Sequence, residues 1–261
     1  MRGPMTKLLV VNPNISERVS RLIEDEARRA AAPGTEITVA TAPFGVAYIE
    51  TRFEALIGAY AVANVIAERR AGYDAAVVAA FGDPGVPALR EAFDMPIVGI
   101  TEAALMSACL LGQRFGIIAI SRRIVAWYRE CVEANGLIGR LAGIRALDQP
   151  LADIGSVQND HAERLRHLCA EAIERDGADV LILAGAPLAG LARSIREDIA
   201  VPVVDGVSSA IRHAETLVHL APGAARAGSS APPPLKPNAG LPQALRDLLD
   251  EAGRDQKSRS A

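Results

Sequence analysis

The chain has 261 residues, half of them apolar, with 31 acidic against 28 basic side chains and a net charge of −3. That allows a buried core in one large domain or two small ones. It argues against nucleic acid or an acidic membrane as partner, since both need a basic surface.

No uncharged apolar run reaches the roughly 18 residues that a membrane span needs; the nearest, 55–67 and 180–192, read as core. Met1 leads through Met5-Thr-Lys into a strand without an apolar leader, which predicts a cytoplasmic protein.

Short apolar runs alternate with longer amphipathic ones, which predicts βα units and parallel sheets. In chain order the pattern gives strand 8–11, helix 15–31, strand 36–40, helix 53–70, strand 75–79, helix 86–93, strand 97–99 and helix 102–111. The plan then repeats with strand 115–120, helix 122–135, strand 144–147, helix 161–176, strand 180–183, helix 188–197, strand 203–204 and helix 208–219. Residues 223–237 are rich in Ala, Gly, Ser and Pro, too poor in apolar surface to order themselves. An amphipathic helix is expected over 241–252, with no role or with docking onto a neighbouring subunit.

The repetition extends to individual residues. Asp74-Ala-Ala-Val-Val-Ala-Ala80 reads against Asp179-Val-Leu-Ile-Leu-Ala-Gly185, and Met95-Pro-Ile-Val-Gly99 against Val201-Pro-Val-Val-Asp205. Two similar half-domains are therefore expected, 6–100 with 205–220 and 101–204, each a parallel-rich sheet flanked by helices, with a cleft between them. Residues 221–261 form a tail. Ala80 and Gly185 are equivalent positions, each where an apolar strand meets a loop.

Ligands of open α/β sheets bind beyond the carboxyl ends of strands, so the residues after each strand are the candidates. Asn12 and Asn14, before Ser16, can cap the next helix or hold a ligand carbonyl or carboxylate. Ala80-Phe81-Gly82-Asp83-Pro84-Gly85 is a turn whose Asp83 is either a turn or cap residue or a general base. Ser121 can cap a helix, and Arg122 can meet an anion or face solvent. The 184–190 loop, with Gly185 and Ala186, offers backbone N–H groups but no acid, base or nucleophile. No metal is indicated, because the four histidines lack ligand spacing. No nucleotide motif is present either, since the glycines do not form GxGxxG. Cys109, Cys131 and Cys169 lie in helical patterns and read as packing residues.

Leu9-Val-Val-Asn-Pro-Asn14, Ala79-Ala-Phe-Gly-Asp-Pro-Gly85, Val98-Gly-Ile-Thr-Glu-Ala-Ala104 and Ala184-Gly-Ala-Pro-Leu-Ala189 together resemble the aspartate/glutamate/hydantoin racemase family, nearest its hydantoin and allantoin branch. The resemblance runs in order from residue 6 to residue 220. It implies two pseudosymmetric α/β halves with the ligand between them, a homo-oligomer, and racemisation without a cofactor by one cysteine from each half. Carried over by position, those cysteines fall on Ala80 and Gly185, which cannot move a proton.

Three readings follow. The first is an isomerase of a small polar cyclic ureide or amino-acid-like substrate, using Asp83, Glu50, Tyr48 or an ordered water in place of thiols. The second is a hydrolase or decarboxylase in the same cleft, with the Gly185 and Ala186 amides stabilising an oxyanion while Asp83 or Glu50 activates water. The third is a binding protein that kept the cleft and lost turnover. Asn12, Asn14 and Arg122 point to an anionic or ureide ligand in each.

Overall fold

A computed structural model describes residues 5–148 and 153–259. The first half holds β1 (Thr6–Asn12), α1 (Glu17–Ala30), β2 (Thr35–Thr41), α2 (Arg52–Arg69), β3 (Ala75–Val78), α3 (Val86–Ala92), β4 (Ile97–Gly99) and α4 (Ile100–Leu111). The second holds β5 (Phe115–Ala119), α5 (Val125–Ala134), β6 (Leu141–Ala146), α6 (Val157–Asp160), α7 (Ala162–Glu174), β7 (Val180–Leu183), α8 (Leu191–Ile195), β8 (Val203–Asp205) and α9 (Gly206–Leu220). A last helix, α10 (Gln243–Arg259), follows the Pro-rich stretch.

The strands form two four-stranded sheets in the orders β2-β1-β3-β4 and β6-β5-β7-β8. Every pairing is parallel. The internal echo is thus a repeated architecture: Val10 aligns with Val77 in one sheet as Ile117 aligns with Ile182 in the other. Strands β3, β5 and β7 are buried at every residue, which explains their unbroken apolar runs, because a parallel sheet is covered on both faces. No described helix is long and apolar enough to cross a membrane.

Helices α4 and α9 pack against each other between the two sheets. Each leaves one sheet and also packs on the other, α4 on β7 and α9 on β3. Their starts approach so closely that a Cβ on Gly206 would lie 2.9 Å from the Ile100 carbonyl oxygen. Arg52 with Glu130, Arg18 with Asp153, and Arg193 with Glu26 add ion pairs between the halves.

Several expected boundaries move. Helix α4 starts at Ile100 rather than at 102. The expected helix 122–135 opens as a 3-10 turn before α5. The expected helix 188–197 shortens to α8 because Gly190, at φ +81, breaks the chain direction after a 3-10 turn at 186–188. The terminal helix is longer than the 241–252 expected and is not idle. It packs on α2 and α3 of its own chain and buries Leu245 and Leu248 in a cluster with Val65, Ile66 and Phe93.

Candidate functional site

Ala80 and Gly185 lie just beyond β3 and β7, Ala80 buried and Gly185 half-buried. Gly185 has φ +109, a conformation open to glycine and strained for other residues. Neither position carries a group that binds or releases a proton.

Asp83 has the left-handed φ of +46, which Asp tolerates better than most residues. This backbone turns its side chain away from α3, whose cap is Gly85, and toward the start of α4. Its two oxygens accept 2.8 Å hydrogen bonds from the N–H groups of Thr101 and Glu102. Thr101 Oγ1 accepts from Gly82 N at 2.6 Å, so the loop after β3 and the start of α4 are stitched together twice. Of the two roles expected for Asp83, capping is realised, though on a different helix from the one that follows it. Burial pushes its carboxyl up to about 7, against the lowering effect of the two backbone hydrogen bonds, and the nearby Glu102 charge adds to the rise.

Asn12 and Asn14 separate in role. Asn12 is fully buried; its Nδ2 faces Asn14 Oδ1, Ser16 O and Ser20 Oγ, and its Oδ1 accepts from Asn14 N. The Asn12 amide is thus engaged by its own loop and by α1, which gives it a structural role. Asn14, 5% exposed, accepts through Oδ1 from Asn12 and Ser16, while its Nδ2 has no partner among the described residues.

Phe81 packs its ring on Tyr128 of α5, with centroids 4.5 Å apart, and Trp127 lies beside Tyr128 at 5.9 Å. All three are buried. The contact joins the halves, and Gly82 is required beneath it, since a Cβ there would sit 2.2 Å from the Trp127 ring. Trp127 and Tyr128 were not among the expected site residues. They project from a helix rather than a strand-end loop, but they pair the chain's only tryptophan with one of its four tyrosines, a signal in so aromatic-poor a sequence.

Glu50 and Tyr48 are half-buried beside this cluster. Burial and the Glu50 carboxylate raise the Tyr48 phenol. Burial raises the Tyr128 phenol far more, with Cys131, Asp83 and Glu50 contributing in that order. Ser121 caps the 3-10 turn before α5, accepting from Arg123 N at 3.2 Å. Arg122 is 75% exposed, 3.8 Å from Asp148, and lines a cavity with Ile144, Arg145 and Arg164 rather than joining Asp83 and Tyr128. Ala186 is buried in the 3-10 turn after Gly185. Thus Asp83 and Glu50 act on the Tyr128 phenol, Phe81 stacks on its ring, and Tyr48 joins the group through Glu50.

The three cysteines are free and helical. Burial pushes Cys131 up to about 12 and Cys169 up to about 11, so both stay protonated near neutrality and are poor nucleophiles. A carboxyl pushed up to about 7, a protonated phenol and buried aromatic rings thus meet where the two halves join.

The Asp/Glu/Hydantoin racemase family model matches residues 8–214. Hydantoin racemase of Paenarthrobacter aurescens is 34% identical over 234 residues, covering 87% of this chain and 97% of that protein. Hydantoin racemase of Pseudomonas sp. (strain NS671) is 33% identical, covering 82% and 86%. Among solved structures, allantoin racemase from Klebsiella pneumoniae superposes with a TM-score of 0.87 at 34% identity, covering 92% of this chain and 98% of that one.

Proposed function

The chain belongs to the Asp/Glu/hydantoin racemase family, a family of isomerases, and on that footing we propose that it exchanges the α-proton of a small cyclic ureide without thiols or a cofactor. The observation that carries this reading is Asp83, a carboxyl with a value of about 7 anchored at the cleft between the halves. In a hydantoin-like ring the carbanion left after proton loss is an enolate conjugated with a ring carbonyl, so a modest base suffices. Asp83 takes the proton from one face of the ring; a water protonates the planar enolate from the opposite face, and the hydroxide it leaves recovers the proton held by Asp83. Glu50, whose charge reaches Tyr48 and Tyr128, is the alternative base.

The reading extends to a homo-oligomer in the cytoplasm. Phe53, Leu56 and Tyr60, exposed together on α2, support self-association.

A second reading, a protein that binds the same ligand without turnover, is favoured by one observation: both Asp83 oxygens are already engaged by backbone N–H groups.

NMR in D₂O with hydantoins and allantoin separates the readings. Wash-out of the α-proton without consumption supports the isomerase. A new product of different mass overturns it in favour of a hydrolase or decarboxylase. A ligand-dependent rise in Tm with no exchange leaves the binding protein.

A further inference from the structure

Tyr128 is 3% exposed, and its ring is held on two sides by Phe81 and Trp127. Its hydroxyl makes no hydrogen bond among the described residues. A buried phenol ordinarily finds a partner. Nor is the oxygen sealed away: the sealed polar side-chain atom without a partner among the described residues is Asn64 Oδ1. The Tyr128 oxygen therefore opens on accessible space at the junction of the halves.

Gly185 bounds that space. A Cβ built on Gly185 would stand 3.5 Å from Pro187 Cδ and 3.9 Å from Tyr128 Oη, so a side chain at 185 would crowd the hydroxyl. Glycine at 185 and tyrosine at 128 make a matched pair, one leaving room and the other pointing a polar atom into it. Phe81 and Trp127 cover the Tyr128 ring, and this burial strengthens a hydrogen bond made by its hydroxyl.

We propose that the Tyr128 hydroxyl is a substrate-contacting hydrogen-bond donor, aimed at the carbonyl oxygen of the ring that becomes the enolate oxygen. This rests on the ureide reading above. Burial and the nearby Asp83 and Glu50 charges hold the phenol protonated. It donates and does not serve as the base; the proton leaves the substrate carbon for Asp83, and the phenol keeps its own.

Tyr128→Phe keeps the ring packing and removes only the donor. Calorimetry with 5,5-dimethylhydantoin, which has the ring carbonyls but no α-proton, reads binding. α-Proton exchange of hydantoin in D₂O reads turnover. We expect binding to weaken on the order of tenfold and kcat to fall on the order of a hundredfold, as for loss of one donor to a developing oxyanion. Unchanged binding and exchange in a folded variant, beside an active wild type, overturn the proposal. A wild type that neither binds nor exchanges overturns the ureide reading itself.

If Tyr128→Phe fails to fold, wild type labelled with 3-fluorotyrosine carries the test. Its four tyrosine resonances are assigned from Tyr48→Phe, Tyr60→Phe and Tyr73→Phe. Saturating 5,5-dimethylhydantoin should shift the Tyr128 resonance most, and a stationary Tyr128 resonance overturns the proposal.

Discussion

Asp83 and Asp205 perform the same bridging from opposite ends. In the second half Asp205, the last residue of β8, accepts from Ser208 N of α9 at 2.9 Å and from Gly190 N, in the loop after β7, at 2.8 Å. In the first half the residue equivalent to Asp205 is Gly99. Here the carboxylate comes from the loop side, Asp83 reaching the start of α4. A Cβ on Gly99 would lie 2.1 Å from Asp83 Cγ, so the incoming carboxyl occupies the space that a side chain at 99 would need. Burial raises both carboxyls. The asymmetry puts the first-half carboxyl three residues from Ala80, next to the cleft.

This arrangement fixes the sign of a pH effect. An aspartate in the unfolded chain titrates at about 3.9, whereas folded Asp83 titrates at about 7. Between those values the folded state holds a proton that the unfolded state has released, so Asp83 makes stability fall as pH rises from 4 to 7, then level off. Asp83→Asn should remove that slope while also costing one of the two cap bonds. Melting curves of both proteins from pH 5 to pH 8 should converge as pH rises. If Asp83 is the base, wild-type exchange should increase through about pH 7 and the variant should lose it. A variant with wild-type exchange would return Asp83 to a purely structural role.

The chain's repetition was readable because buried parallel strands must be nearly continuous apolar runs, so β3 and β7 advertise themselves in Asp74–Ala80 and Asp179–Gly185. The partners of Asp83 were not readable, since Thr101 and Glu102 lie far along the sequence and the left-handed turn aims the carboxyl away from its own helix. Asn12 is ambiguous in sequence because an amide after a strand reads alike whether it meets a ligand or its own loop. Tyr128 was not legible because a helical tyrosine carries no local mark of the Phe81 ring it meets from the other half.

Glu26 is 4% exposed on α1 and meets Arg193 of α8 and, at 3.0 Å, Ser208 Oγ of α9. Removing one member of a buried pair strands the other charge at a cost of about 3–5 kcal/mol. Arg193 is 36% exposed, so water reaches the site and the cost should fall toward about 2 kcal/mol, with solvent screening in mind. Arg193→Ala should therefore lose more stability in urea than Arg28→Ala, whose pair with Glu24 is exposed.

A thiol mechanism and the carboxyl mechanism part over alkylation. With Cys131 raised to about 12 and Cys169 to about 11, iodoacetamide at pH 7.5 should label both slowly in the native protein. Mass spectrometry can follow labelling beside the exchange rate. Cys131→Ser and Cys169→Ala should retain exchange, and a Cys131→Ser variant that is folded but inactive would assign that thiol to the chemistry.

The terminal helix offers a separate stability test. Leu245 and Leu248, three residues apart, share one face of α10 and are 9% and 7% exposed against α2 and α3. A buried Leu→Ala change costs about 2–5 kcal/mol depending on how far the site collapses. A helix at the chain's end can detach rather than hold a cavity, so each substitution should fall at the low end, about 2 kcal/mol. The double variant should then expose the Val65, Ile66 and Phe93 face, raising binding of an apolar dye, while α-proton exchange stays near wild type because Tyr128 belongs to a separate cluster. Loss of exchange in a double variant whose sheets remain protected from hydrogen exchange would instead couple the tail to the cleft.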